Sequence, residues 1–150
     1  MNEKTEGWEL RITEMDLFTG LDLNVMKDIA ETACIETNYN KGAVIFTEGD
    51  SANALFILDK GEVGLTIGGK KSVYRLTEKS DIFGWSSLVE NAQYTATAIA
   101  NTDIQALKID ARTMNRVFNS NSLFGLKVYQ RLSAVFNKRL SSIYSQFLSV

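Results

Sequence analysis

Residues 83–98 read FGWSSLVENAQYTATA. Gly84, followed by the hydroxyl residues Ser86 and Ser87 and then by apolar Leu88 and Val89, describes a loop entering a short helix. The unbonded N–H groups at such a helix start suit an anion. A buried phosphate is ordinarily matched by a cation as well, and this stretch contains neither Arg nor Lys. Other candidates for chemistry are few. The chain has no histidine, which removes the usual nucleophilic triads, imidazole metal ligands and a base that titrates near neutrality. Glu48 and Asp50 in TEGD are two apart, but nothing marks a nucleophile or a metal beside them, and they read as a solvated turn. Cys34 is the one cysteine and sits in ETACIET; it cannot form an internal disulfide and reads as a small buried residue. The run GGKK at 68–71 reads as an exposed hairpin tip. No catalytic residue and no metal site are expected, and the chain reads as a non-enzyme.

The elements that must position residues 83–98 are mostly short strands. Between 34 and 110 the sequence runs CIETNY, AVIFTEG, ALFILDKG, EVGLTIGG, SVYRL, TATAIAN and DIQALKID, set off by Gly, Asn and Asp. Such short β-type runs at near-regular spacing suggest a sandwich, jelly roll or small barrel. With no proline in the chain, glycine punctuates it, and Gly68-Gly69 supplies the positive φ angles of a tight hairpin. Before the strands, Trp8, Ile12, Met15, Leu17, Phe18, Met26 and Ile29 fall at helical spacings, the clearest helix being 22–32 behind an Asp22 N-cap. After Asp110 helices return over 111–118 and from about 122 to the end. In the last, Leu132, Phe136, Leu140, Ile143 and Phe147 follow steps of four, four, three and four. A helix that long can lay only part of this face on its own core, and a symmetric partner helix is the simplest cover for the rest.

The 150 residues, 45% apolar and 23% charged, fit one soluble globular domain with terminal appendages. We divide them into an N-terminal segment 1–14, a β domain 15–120 with its N-terminal helices, and a C-terminal dimerisation helix 121–150. A net charge of −2 spreads no basic field for unaided binding of duplex DNA. The charged N-terminus MNEKTEGWELRITE lacks a signal-peptide core, and no stretch approaches the roughly 20 apolar residues of a membrane span. A cytoplasmic protein is expected.

In order and spacing, LFTGL, KGAVIFTEGD, ALFILDKGEVGL, FGWSSL and TATAIANTDIQALKID, followed by a long helix containing RLSA, resemble the cyclic-nucleotide-binding domains of catabolite-activator-type regulators and of cyclic-nucleotide-dependent kinases and channels. The resemblance covers about residues 15–148. It implies a mainly β fold, a double-stranded β-helix or jelly roll (the β-roll), with short N-terminal helices and a long C-terminal helix. It also implies a phosphate-binding cassette. The family pattern is Phe-Gly-Glu-[Leu/Ile]-[Ala/Gly]-Leu, with an Arg ten residues after the Gly; the Glu takes the ribose 2′-hydroxyl and the Arg the cyclic phosphate. Carried onto this chain, the cassette is Gly84, Trp85, Ser86, Ser87, Leu88, Tyr94, Thr95 and Ala96, with Trp85 at the ribose position and Tyr94 at the phosphate position.

Both signature charges are replaced. Loss of a desolvated charge partner costs on the order of 2 to 5 kcal/mol, roughly one and a half to three and a half decades of affinity at about 1.4 kcal/mol each. Ordinary cyclic AMP or cyclic GMP binding is not expected. Two readings of the cassette stand side by side. Ser86, Ser87 and Thr95 could donate to an unidentified small molecule against a flat wall of Trp85 and Tyr94, or the two aromatics could plug the cavity and leave no ligand. A runner-up keeps cyclic nucleotide binding through backbone and hydroxyl contacts. A cupin-type enzyme is the remote third, weakened by the missing histidines. In family members whose long helix pairs across a two-fold axis, that helix also reads the base; the matching positions fall near Ile143 and Tyr144, poorly suited to a purine edge. The sequence reaches Val150 inside that helix, so no helix-turn-helix or direct DNA contact is expected, and output passes to a protein partner.

Overall fold

The computed structural model describes residues 12–69 and 72–148. After α1 (Leu23–Ala33) come β1 (Cys34–Tyr39), β2 (Val44–Phe46), β3 (Ala54–Lys60), β4 (Val63–Thr66), β5 (Ser72–Leu76), β6 (Ile82–Phe83), a 3-10 turn (Trp85–Leu88), β7 (Thr97–Ala100), β8 (Ile104–Asp110), α2 (Ala111–Ser120) and α3 (Ser122–Leu148). Two antiparallel four-stranded sheets, in orders β1-β8-β3-β6 and β2-β7-β4-β5, make the β-roll that the strand spacing implied.

The apolar run ALFILD in β3 is buried on both faces because its sheet is the middle of three layers. By the period-two rule, Ala54, Phe56 and Leu58 face the second sheet, where they meet Val63, Ala98 and Ala100. Leu55 and Ile57 face the helices, where they meet Met26, Met114 and Leu132. β8 divides the same way: Ala106 belongs to the inter-sheet core and Leu107 and Ile109 to the helical one. Ile12, Met15 and Phe18 are fully buried in that helical core.

Both shorter helices start where an aspartate caps them. The Asp22 carboxylate accepts from the N–H groups of Asn24 and Val25 at 2.9 and 3.1 Å, and that of Asp110 accepts from Thr113 N–H at 2.9 Å and from its hydroxyl. At the α2–α3 elbow a Cβ on Gly125 would lie 2.8 Å from Phe118 Cβ, so only glycine lets the two helices close on each other there. The Gly68-Gly69 pair after β4 has positive φ at both residues, and Lys70 and Lys71 of the GGKK run lie outside the described residues.

The apolar row of α3 needs correction. Leu132 is fully buried in the chain's own core and so is not free to meet a partner helix, whereas Phe136 is half-buried and packs against that core. Leu140 is 47% exposed, Ile143 is half-buried, and the side chain of Phe147 lies outside the described residues. The inward stripe runs Val128, Leu132, Phe136 and then Arg139, which is only 7% exposed. No helix among the described residues is long and apolar enough to cross a membrane.

Candidate functional site: the cassette and the helix against it

The cassette hangs from β6, whose Phe83 and Ile82 pair with Phe56 and Ile57 of β3. Gly84 follows with φ of 77°, and a Cβ there would stand 2.9 Å from the Ala54 carbonyl oxygen. Glycine is thus required both by the left-handed backbone and by the close approach of β3. The 3-10 turn Trp85–Leu88 closes with Ser87 N–H and hydroxyl both donating to the Gly84 carbonyl, at 3.2 and 2.8 Å. Ser87 therefore spends its donors locally and is buried. Ser86, Leu88 and Ala96 are half-buried, and Thr95 is exposed.

Tyr94 is held rigidly. Residues 49–52 and 92–94 form a short ladder: Tyr94 N–H donates to Asp50, Gly49 N–H to Tyr94, and Ala52 N–H to Ala92, at 2.9, 2.9 and 3.0 Å. Its ring lies 3.8 Å from that of Phe46 at 15°. Phe46 in turn meets Phe56 and Phe83, and those two stack at 5.0 Å. The Tyr94 hydroxyl donates to the Ala54 carbonyl at 2.8 Å and accepts from the Ala54 N–H at 3.2 Å. Burial pushes its ionisation upward, against the backbone hydrogen bonds, which pull it down. The ring is 7% exposed, so Tyr94 works as a pillar and its polar tip is already satisfied.

Trp85 turns the other way, onto α3. Its ring meets Phe136 edge-on at 4.9 Å, and the Arg139 guanidinium lies 4.5 Å from the indole centroid and 5.0 Å from that of Tyr74. Arg139 Nη1 donates to the Ile82 carbonyl at 2.7 Å. Burial works to lower its basicity, against the neighbouring Tyr74 and Asp81. Trp85 and Tyr94 therefore do not share one wall: they occupy different layers. Sequence reasoning missed Arg139. The signal was its spacing, three residues after Phe136 and seven after Leu132, on the buried side of a 3.6-residue period.

These features, a β-roll with a Gly-led turn between β6 and β7 and a long helix docked on it, coincide with a match of residues 36–121 to the cyclic nucleotide-binding domain. The chain belongs to the cyclic nucleotide-binding domain family. As such a domain it resembles a protein of Geobacter metallireducens named for cyclic nucleotide binding, at 27% identity and a TM-score of 0.78 over 88% of this chain and 97% of that one. It is 31% identical to the cAMP-dependent protein kinase regulatory subunit of Candida albicans over 88% of this chain, which spans 25% of that protein. A Trypanosoma brucei structure described as the regulatory subunit of a cAMP-independent protein kinase A shares the fold, with a TM-score of 0.72 at 22% identity over 97% of this chain and 49% of that one. The chain spans 27% of the length of a Schizosaccharomyces pombe kinase regulatory subunit and 10% of that of a human Rap guanine nucleotide exchange factor that it also matches. It is a cyclic nucleotide-binding domain of the regulatory kind.

Proposed function

We propose that this domain is a non-enzymatic regulatory module whose cassette has exchanged phosphate capture for packing. The observation that carries the reading is Tyr94. At the position where the family resemblance expects a phosphate-binding arginine stands a buried ring, stacked on Phe46, whose hydroxyl both donates to and accepts from Ala54. A cyclic phosphate placed there would meet no cation from this residue, and displacing the ring would unpair two backbone groups of β3. Trp85, at the ribose position, is engaged with Phe136 and Arg139. Its place against α3 supports a joint that transmits between roll and helix.

Titration of cyclic AMP and cyclic GMP against a Trp8→Phe variant, followed by Trp85 fluorescence and thermal shift, tests this reading. The expected result is no saturation below about 100 µM, given the decades of affinity that a desolvated charge partner supplies. A dissociation constant of about 10 µM or below would overturn it and restore binding through backbone and hydroxyl contacts.

For assembly, we propose a homodimer that pairs the distal part of α3, with output passing to a protein partner in the cytoplasm. Leu140, Tyr144 and Leu148 are 47%, 57% and 87% exposed and stand four residues apart. That is one stripe on a helix, and a second copy is its simplest cover.

A further inference from the structure

Between α3 and the link from β5 to β6 runs a groove of about 750 Å³, within the range of small-molecule sites. Gly84, Ser86, Ser87, Tyr94 and Thr95 are not among its lining residues, so it is separate from the phosphate cradle. We propose that this groove binds a small organic oxyanion, a phosphate- or carboxylate-bearing metabolite, with Arg139 as the buried cation that grips it.

Three observations carry the proposal. First, Arg139 is 7% exposed and lines the groove, yet no carboxylate lies within salt-bridge distance of it among the described residues. A buried guanidinium is costly unless it is paired and hydrogen-bonded. The Ile82 carbonyl takes Nη1, the Tyr74 side chain takes a further hydrogen bond and Asp81 attracts the charge from beyond salt-bridge distance, and Tyr74 and Trp85 present ring faces to the group. Rings engage the flat face of a guanidinium, whereas its five N–H donors lie in the plane, in the fork that suits a bidentate oxyanion.

Second, the groove reverses the sign of the molecule. Five basic side chains line it against three acidic ones, in a chain whose net charge is −2. Two of the five are occupied: Arg131 donates to the carbonyls of Asp16 and Leu17, and Lys79 lies 3.7 Å from Glu14 and from Asp59. Arg75 and Lys138 are exposed at the rim, and neither has a carboxylate within salt-bridge distance among the described residues. Of the acids, Asp81 already accepts from the Glu78 N–H.

Third, the groove has a reporter built in. The indole stacked on Arg139 is Trp85, and with Trp8 replaced by Phe it is the one tryptophan of the chain. A ligand that draws on the guanidinium must change the surroundings of that ring.

The test is a fluorescence titration of the full chain carrying Trp8→Phe with sodium pyrophosphate and, separately, sodium citrate. Sodium chloride at matched ionic strength is the control. A saturable change with pyrophosphate alone assigns a phosphate ligand, and with citrate alone a carboxylate. Arg139→Gln should weaken the binding by at least about tenfold, as loss of a desolvated charge partner does. Lys138→Gln, at an exposed position, should weaken it by about two- to fivefold. No saturation up to about 10 mM, an affinity weaker than most specific small-anion sites, would overturn the proposal. So would a response that chloride reproduces, or an affinity unchanged in Arg139→Gln. Should Arg139→Gln fail to fold, the double variant Arg75→Gln with Lys138→Gln decides, and unchanged affinity there overturns the proposal as well. A cyclic nucleotide response that survives Arg139→Gln reads the cassette and one lost with it reads the groove, so either result can fail without the other.

Discussion

The hydroxyl of Tyr94 does the work of two hydrogen-bonding groups, and its removal is the cleanest test of the pillar. Tyr94→Phe keeps the stack on Phe46 but leaves both the Ala54 N–H and its carbonyl without their partner. We expect a loss of about 1–3 kcal/mol in urea unfolding, the cost of unpaired buried polar groups. The same residue sets an alkaline limit. Its folded-state ionisation lies above the ordinary value of 10.0, so its contribution is present below about pH 10 and is lost as pH rises through the raised value. Tyr94→Phe should therefore narrow its deficit against the parent protein at high pH. Cys34, half-buried as a residue and not fully buried as its sequence context suggested, makes a second residue-scale test, since desolvation pushes its thiol up to about 12. Iodoacetamide at pH 8 should label the folded protein far more slowly than the urea-unfolded one, because the thiolate is the reactive species.

Among the elements, α2 depends most visibly on one side chain. Asp110 ends β8 and caps the helix through Thr113, and the hydrogen bond from the Thr113 hydroxyl holds its carboxyl below the ordinary 3.8. Asp110→Ala should cost about 1 kcal/mol in chemical denaturation near neutrality. A depressed carboxyl stabilises above its unfolded value and stops doing so as pH falls through the folded one, so the gap between variant and parent should close below about pH 4. The Asp22 cap was legible in the sequence because capping is local, and the same local signal stands at Asp110, which the sequence reading took only as the boundary before a helix. Seven of the eight strands were legible for a similar reason, each being an apolar run bounded by turn residues. β6 was not, because two residues carry no period and its pairing to β3 is tertiary. The facing of Trp85 was hidden for the same cause, since a 3-10 turn presents no pattern that says which layer its first side chain joins. Arg139 was hidden by its charge. A reader following apolar residues steps from Phe136 to Leu140, whereas the helix buries position 139, where a guanidinium is accommodated by two rings and a carbonyl.

For the molecule as a whole, the proximal half of α3 serves the fold, and the proposed homodimer would use the exposed stripe on its distal half. Leu140→Glu with Tyr144→Glu should give a monomer by light scattering, with the circular dichroism spectrum of the parent kept. Phe136→Glu should instead unfold or strongly destabilise the chain, by about 3 kcal/mol or more, since it removes the support of Trp85 from the core. A parent protein that is already monomeric at tens of micromolar would return the distal half of α3 to solvent.

The order of the sheets also dictates when the protein can exist. β1 is tied only to β8, from Cys34 opposite Ile109 to Tyr39 opposite Ile104, and β3 takes its other long partner from the same strand. In the second sheet β7 stands between β2 and β4 in the same way. Each sheet is thus held together by a strand that the ribosome delivers late, and contacts so distant in sequence fold slowly. A nascent chain shorter than about 97 residues has its first six strands but neither seam, and one of about 100 to 104 residues has the β7 seam but not that of β8. Limited proteolysis of stalled chains of increasing length should find protection arriving in a single step as β8 clears the exit tunnel, with no protected hairpin intermediate holding β1 before it.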